Sequence, residues 1–369
     1  MAPMALPTSG AAPREKNFPM KVDLEARQKD DQIVWEDCAQ TYEEQVVEGH
    51  PDIRSAESLE EEWLGHLLRK RSWQRPEQIH VVEAGCGSAR VLAQLAAAAT
   101  QTEDLEPTDR KLLQAYRRLR PEGAFHSAWA QTCGKMVGVD FSRSMLALAE
   151  ERFSRIGLSR WIQSRRVQLI HGSAFQLPPT ALGQPWVICL LNSIGVMQGE
   201  EGARALLRSV RQAAGASGVG FISAYRAEAM ETHGLNQYES TLEVAGIPDW
   251  LEGDVPTGCR ARARQSPRAG EAQEVLPVDW VDESGALTGQ GELRRQPDRV
   301  RQVCLTGQVR TRSGYQSRWY PWSQMAQLVR DEWGEAGWQI SPGRLDHLRG
   351  RPLQWLWFDP TGWIRESLG

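Results

Sequence analysis

The segment Glu83-Ala-Gly-Cys-Gly-Ser follows an apolar run and precedes a helical one, and a second acid, Asp140, closes the next apolar run. Glycines at 85 and 87 let the chain turn sharply, so that backbone amides at a helix N-terminus approach a ligand closely. A carboxylate at the tip of the neighbouring strand accepts hydrogen bonds from both hydroxyls of a ribose, the nucleoside-binding logic of doubly wound α/β proteins. A dinucleotide fingerprint asks for a third glycine, and Arg90 occupies that position. Glu83, directly before the turn, would repel a pyrophosphate and suits an ammonium group. A glycine turn alone also fits a purely structural role; the pairing with Asp140 points to a nucleoside.

For these residues to meet, strand and helix must alternate. Apolar runs at Ile79–Ala84, Met136–Asp140, Val167–Ile170, Trp186–Leu191 and Val219–Ser223 read as strands, with helical spacing over Val91–Ala99, Ser144–Ile156 and Ala203–Ala214 between them. Short apolar strands separated by helices imply a mostly parallel sheet covered on both faces. Two helices, over 28–48 (Trp35, Ala39, Tyr42, Val46) and 57–70 (Leu59, Trp63, Leu64, Leu67, Leu68), precede the first strand. A helical flap is expected within 101–134, carried by Thr108–Arg120, and a β-rich lid within 226–314, where Val275–Val281 and Val300–Val309 alternate in character. The expected organisation is a disordered tail over 1–18, N-terminal helices over 19–75, a core over 76–225, the lid, and a C-terminal part over 315–369 that completes the core with the helix Ser323–Gly334 and a strand at Leu353–Phe358.

Composition narrows the function. The chain has 369 residues, 41% hydrophobic and 24% charged, enough for a sizeable core. A net charge of −4 argues against a general nucleic-acid surface. Six cysteines lack CxxC pairing, no apolar run is long enough for a membrane span, and no signal peptide is visible, so a soluble cytoplasmic protein with reduced thiols is expected. No metal site is read. The basic runs Arg260-Ala-Arg-Ala-Arg264 and Arg294-Arg295 with Arg299 and Arg301 read as solvated lid strands, with binding of an anionic substrate the alternative. Trp319, Trp322, Trp333 and Trp338 read as core between lid and sheet, with aromatic pocket walls for a cationic or planar acceptor the alternative.

The blocks VVEAGCGSARVL, MVGVDFSRSMLALAEERF, IHGSAFQLP and WVICLLNSIGVM, in that order, resemble class I S-adenosylmethionine-dependent methyltransferases over roughly residues 35–225 and 315–358. The resemblance implies a Rossmann-like seven-stranded sheet and S-adenosyl-L-methionine as cofactor. It places Glu83, Gly85, Cys86 and Gly87 at the methionine end, Asp140 at the ribose, and Phe141, Ser142 and Met145 along the adenosine. Ser173, Ala174 and Phe175 fall at the adenine, and Leu191 and Asn192 beside the cofactor; Tyr42 either closes over the sulfonium or packs in the core. A narrower resemblance, to glycine N-methyltransferase-like small-molecule enzymes, rests on Cys189-Leu-Leu-Asn-Ser193, Ala224-Tyr-Arg226 and Ser317-Arg-Trp-Tyr-Pro321. It implies that Asn192 and Arg226 hold an acceptor carboxylate while an amine faces the methyl group, with Tyr225, His171 or His233 available to assist. Leu191 departs from that family, which has glycine there.

The partner implied is a small-molecule methyl acceptor, with neither nucleic acid nor membrane; no N-P-P-Y-like motif of base-modifying enzymes is present. An O- or C-methyltransferase, a nicotinamide-dependent oxidoreductase and a non-catalytic cofactor-binding scaffold are the alternatives. A homo-oligomer in which a neighbour contributes to the N-terminal cover is compatible with the sequence.

Overall fold

The computed structural model describes residues 32–44, 60, 64, 65, 67, 78–119, 133–178, 185–264, 274–340 and 352–368. The expected tail over 1–18 and much of the helix over 57–70 lie outside them.

A seven-stranded sheet forms the centre, in the order β12-β13-β5-β4-β1-β2-β3. Strands β1 (Ile79–Ala84), β2 (Cys133–Asp140), β3 (Val167–His171), β4 (Pro185–Cys189) and β5 (Val219–Tyr225) run parallel. Antiparallel β13 (Leu353–Phe358) pairs with β5, and β12 (Gly337–Ile340) with β13. Strand order reverses between β1 and β4, the switch point at which open α/β sheets bind ligands. The sheet is buried on both sides, as its continuous apolar runs dictate: Leu92, Leu95, Phe153 and Trp186 pack in one layer, Leu206, Val210, Leu328 and Trp333 in the other.

The layers come from α1 (Arg90–Ala99), α2 (Pro107–Leu119), α3 (Arg143–Arg155), α4 (Gly199–Ala214) and, later in the chain, α8 (Trp322–Trp333). Helix α2 is the flap element; it buries Leu113 and leaves Leu112 at 39% exposure. Between β5 and α8 the chain forms α5 (Leu235–Ser240), α6 (Leu242–Ala245), an antiparallel sheet in the order β6-β9-β8-β7, the helix α7 (Pro297–Thr306) and the hairpin β10-β11. Strands β6 (Leu251–Glu252), β7 (Arg260–Ala263), β8 (Val275–Val281) and β9 (Leu287–Arg295) bury Leu276, Val278 and Leu293 with Trp250 and Trp319 in a core of their own. Strands β10 (Gln308–Arg310) and β11 (Gln316–Arg318) return the chain to the sheet, where Tyr320 N–H donates to the Tyr225 carbonyl at 2.9 Å.

Two expectations are corrected. Val300–Val309 is not a strand: Pro297 opens a helix and Gly307, at φ 63°, closes it, leaving only Gln308 onward extended. Strand β4 also stops short of Leu191, because Leu191 and Asn192 both adopt left-handed φ, 52° and 57°. Strand β12 is an addition that Gly-Trp-Gln-Ile is too short to announce. Among the described residues, no helix is long and apolar enough to cross a membrane.

Candidate functional site

A cavity of about 740 Å³ opens at the β1–β4 switch point, in the upper part of the roughly 300–1,000 Å³ usual for small-molecule sites. Its floor is the turn after β1. Gly85 and Gly87 take φ of 66° and 50°, and the Gly85 and Cys86 amides donate to the Val139 carbonyl at 2.8 and 3.1 Å, tying the turn to the end of β2. Asp140 braces the turn from the other side: its Oδ2 accepts from Gly87 N–H at 2.8 Å and its Oδ1 from Ser142 N–H at 2.9 Å. Each carboxylate oxygen keeps a second lone pair for a ligand. Burial pushes the Asp140 carboxyl above the usual range, against those hydrogen bonds.

Glu83 is buried and lines the cavity, and its Oε2 has no hydrogen-bond partner among the described residues. Burial raises its carboxyl to about 8, with Arg90 pulling the other way and Asp140 and Glu60 adding to the rise. Arg90, at the place of the missing third glycine, is itself buried and stands 4.0 Å from Glu60. The Glu60 carboxylate accepts from Leu191 N–H at 3.0 Å and from the Ser223 hydroxyl, which holds the left-handed turn after β4. This explains how leucine occupies a position that favours glycine.

A helix over residues 32–44 covers the turn and is fastened by two acids. Glu36 accepts from the Arg143 and Ser144 amides at 2.6 and 2.7 Å, capping α3; these bonds, with one from the Ser144 side chain, overcome burial and bring its carboxyl down to about 2. Glu43 accepts from the Ser88 hydroxyl at 2.7 Å and pairs with buried Arg152, whose Nε donates to the Ser88 carbonyl at 3.0 Å. Glu43, Glu60, Arg90 and Arg152 were not foreseen as site residues. Glu43 did carry a signal, standing eight residues after Trp35 on the helix's apolar face.

Of the residues expected at the cofactor, Tyr42, Glu83, Gly85, Cys86, Gly87, Asp140, Phe141, Met145, Ala174, Phe175, Leu191 and Asn192 all line the cavity. Ser142 and Ser173 do not; their hydroxyls accept from Met145 N–H at 3.1 Å and Phe175 N–H at 3.2 Å, as local caps.

The expected acceptor residues are arranged otherwise than the resemblance implies. Asn192 Oδ1 accepts from Tyr225 N–H at 2.9 Å and its Nδ2 donates to the Arg318 carbonyl at 3.3 Å. Its amide is therefore a strut between β4, β5 and β11, made possible by Gly195, where a Cβ would collide with both partners of that second bond. Tyr225 lines the cavity and packs on Trp319, ring centroids 4.6 Å apart. Arg226 is absent from the cavity wall; its N–H donates to the Pro352 carbonyl at 2.7 Å. His171 is exposed and bonds to the Phe141 carbonyl at 3.0 Å, and neither it nor His233 lines the cavity.

No family model matches the chain, and no curated protein does. Among solved structures it is similar to the CcbJ methyltransferase from Streptomyces caelestis, at 10% identity over 76% of this chain and 82% of that one, TM-score 0.39. It is also similar to the sugar N-methyltransferase KedS8 from a Streptoalloteichus species, at 14% identity over 96% and 98%, TM-score 0.36. A third likeness is to an S-adenosylmethionine-dependent methyltransferase from Clostridium acetobutylicum, at 9% identity over 86% and 96%, TM-score 0.39.

Proposed function

We propose that this chain is an S-adenosylmethionine-dependent methyltransferase acting on a small-molecule acceptor, with an amine as the methylated group. The observation that carries the reading is Glu83: a buried carboxylate with an unpartnered oxygen, facing a cavity at the switch point, beside a glycine turn. Once ionised, Glu83 repels a pyrophosphate and gives an ammonium its counter-charge, and an ammonium bound beside it favours that ionised form. The chain's own residues therefore fit the cofactor. Glu83 would hold the ammonium, Asp140 the ribose hydroxyls through its remaining lone pairs, and Phe141, Met145, Ala174 and Phe175 the adenosine faces.

When bound, the cofactor supplies a methyl group already activated by its sulfonium. What remains for the protein is alignment and exclusion of water, and well-oriented reactants recover on the order of 7–11 kcal/mol of barrier. The cover over 32–44 and the lid close the site on two sides. Among the described residues, no histidine or lysine lines the cavity. Asp37 and Glu243 do line it and could take the proton of an incoming ammonium, whose free base then attacks. A carboxylate grip by Asn192 and Arg226 has no support in this arrangement, so the acceptor need not be an amino acid.

Calorimetric titration with S-adenosylhomocysteine and, separately, NAD tests the cofactor assignment: binding of the first alone is expected, and binding of NAD alone would overturn it. Incubation with methyl-labelled cofactor and a pool of small amines is expected to yield labelled product.

A further inference from the structure

The cavity extends beyond the glycine turn to the cover and the lid, where a run of rings lines part of its wall. Trp35 and Tyr42, from the cover, meet edge to face with centroids 4.8 Å apart and planes at 80°. Trp35 continues to Tyr315 of the lid at 6.3 Å and 68°, and Tyr315 to Tyr238 at 6.4 Å. All four line the cavity. The lid thus completes an aromatic wall that the cover begins. Tyr238 is held by the Trp319 indole, whose Nε1–H donates to its hydroxyl at 3.1 Å. Burial raises the Tyr238 and Tyr315 phenols, so both stay neutral and the wall carries no phenolate charge.

On the methyl-transfer reading above, we propose that the acceptor is a hydrophobic amine with an aromatic or polycyclic body, seated against the Tyr42–Trp35–Tyr315–Tyr238 wall with its nitrogen toward the cofactor end. Three considerations converge on this class. Aromatic rings offer area and edge-to-face geometry to another ring. Asp37 and Glu243 also line the cavity, so an amine is drawn in as its cation and can pass a proton to a carboxylate before its free base attacks the methyl. Asp37, Glu83 and Glu243 line the cavity and disfavour an acceptor carboxylate, against the pull of Arg260 and of Arg312, which also donates to the Leu251 carbonyl at 2.8 Å.

The test uses the full chain saturated with S-adenosylhomocysteine and three probes: 1-naphthylmethylamine, 3-(1-naphthyl)alanine, which adds a carboxylate to a similar ring and amine, and glycine. Binding is read by calorimetry on that complex, and methylation in separate reactions with methyl-labelled cofactor and no S-adenosylhomocysteine. The expected order is naphthylmethylamine ahead of naphthylalanine by about tenfold or more, with glycine unbound. Trp35→Leu should weaken naphthylmethylamine about tenfold while S-adenosylhomocysteine affinity stays within about threefold, and Trp35→Phe should recover most of the loss. Preference for naphthylalanine or glycine, or unaltered naphthylmethylamine binding in Trp35→Leu, overturns the proposal. If S-adenosylhomocysteine binds and none of the amines does, the acceptor class is wrong and the cofactor reading stands. If S-adenosylhomocysteine itself fails to bind, it is the methyltransferase reading that falls.

Discussion

The floor of the cavity and its far end solve the problem of holding a small molecule in different ways. At the floor, Asp140, Glu43, Glu60, Arg90 and Arg152 are all buried, and backbone amides, hydroxyls and opposite charges fix each in place, while Glu83 keeps one oxygen unpartnered. At the far end a run of four rings, contributed by a helix before the core and a lid inserted after it, stands among polar side chains such as Asp37, Glu243 and Arg312. The difference follows from what each end must recognise. A charged, hydrogen-bonding ligand demands preorganised charges, which are stable in a low dielectric only when networked. An apolar ring demands area and shape, which any suitably placed side chains provide.

The contrast breaks most easily at the network. Arg152→Met would leave Glu43 buried without its counter-charge, and the expected loss is about 3–5 kcal/mol of folding stability, read by chemical denaturation. Mere loss of packing, below about 1 kcal/mol, would mean that the floor is not networked as described. Glu83→Gln comes next. It preserves shape and removes the counter-charge, so S-adenosylhomocysteine affinity should fall about 10²-fold at little cost to the fold, since a hydrogen bond to a charged group contributes about 1.5–3 kcal/mol. A matching fall in affinity for a purely aromatic amine would erase the distinction between the ends.

These two residues also show how much was legible beforehand. Glu83, the glycines and Asp140 stand within a strand-turn-helix pattern whose period changes in the sequence itself, so the floor's ligand-facing groups and the parallel sheet could be read directly. Arg152 and Glu43 are over a hundred residues apart in sequence, and nothing local says that they pair. The far end was hidden for the same reason: Trp35, Tyr238 and Tyr315 come together only through the lid's return to the sheet. Val300–Val309 was misread because a short amphipathic helix and an alternating strand share apolar positions, and Pro297 and Gly307 decide between them. Asn192 and Arg226 were transferred by resemblance from a family with glycine at 191, and the left-handed leucine there comes with an Asn192 amide bonded at both ends.

The raised carboxyl of Glu83 gives the floor a pH signature that the far end lacks. In the unliganded protein Glu83 is half protonated at about 8, and only the carboxylate attracts an ammonium. Affinity for S-adenosylhomocysteine should therefore climb about tenfold per pH unit from 6 toward 8, level off once Glu83 is ionised, and fall at higher pH as the ligand's α-amino group loses its own proton. The slope should vanish in Glu83→Gln. The linkage with folding has the opposite sense: the folded chain keeps this proton when the unfolded chain has released it, so Glu83 lowers stability as pH rises from 4.5 to about 8. Saturating ligand should flatten that decline.

The smallest expected effect separates this structure most cleanly from a carboxylate-gripping site. Arg226 carries its backbone into the junction of β5 with the chain at Pro352, and its side chain is not part of the cavity wall. Arg226→Leu should therefore leave the KM of a hydrophobic amine acceptor within about twofold, because a residue that does not touch the ligand alters neither its ground-state nor its transition-state binding. A rise of about tenfold or more, confined to KM, would bring the guanidinium into the acceptor site and require the loop after β5 to move when the acceptor binds. In that event the far end would share the floor's reliance on placed charge, and the acceptor would carry an anion after all.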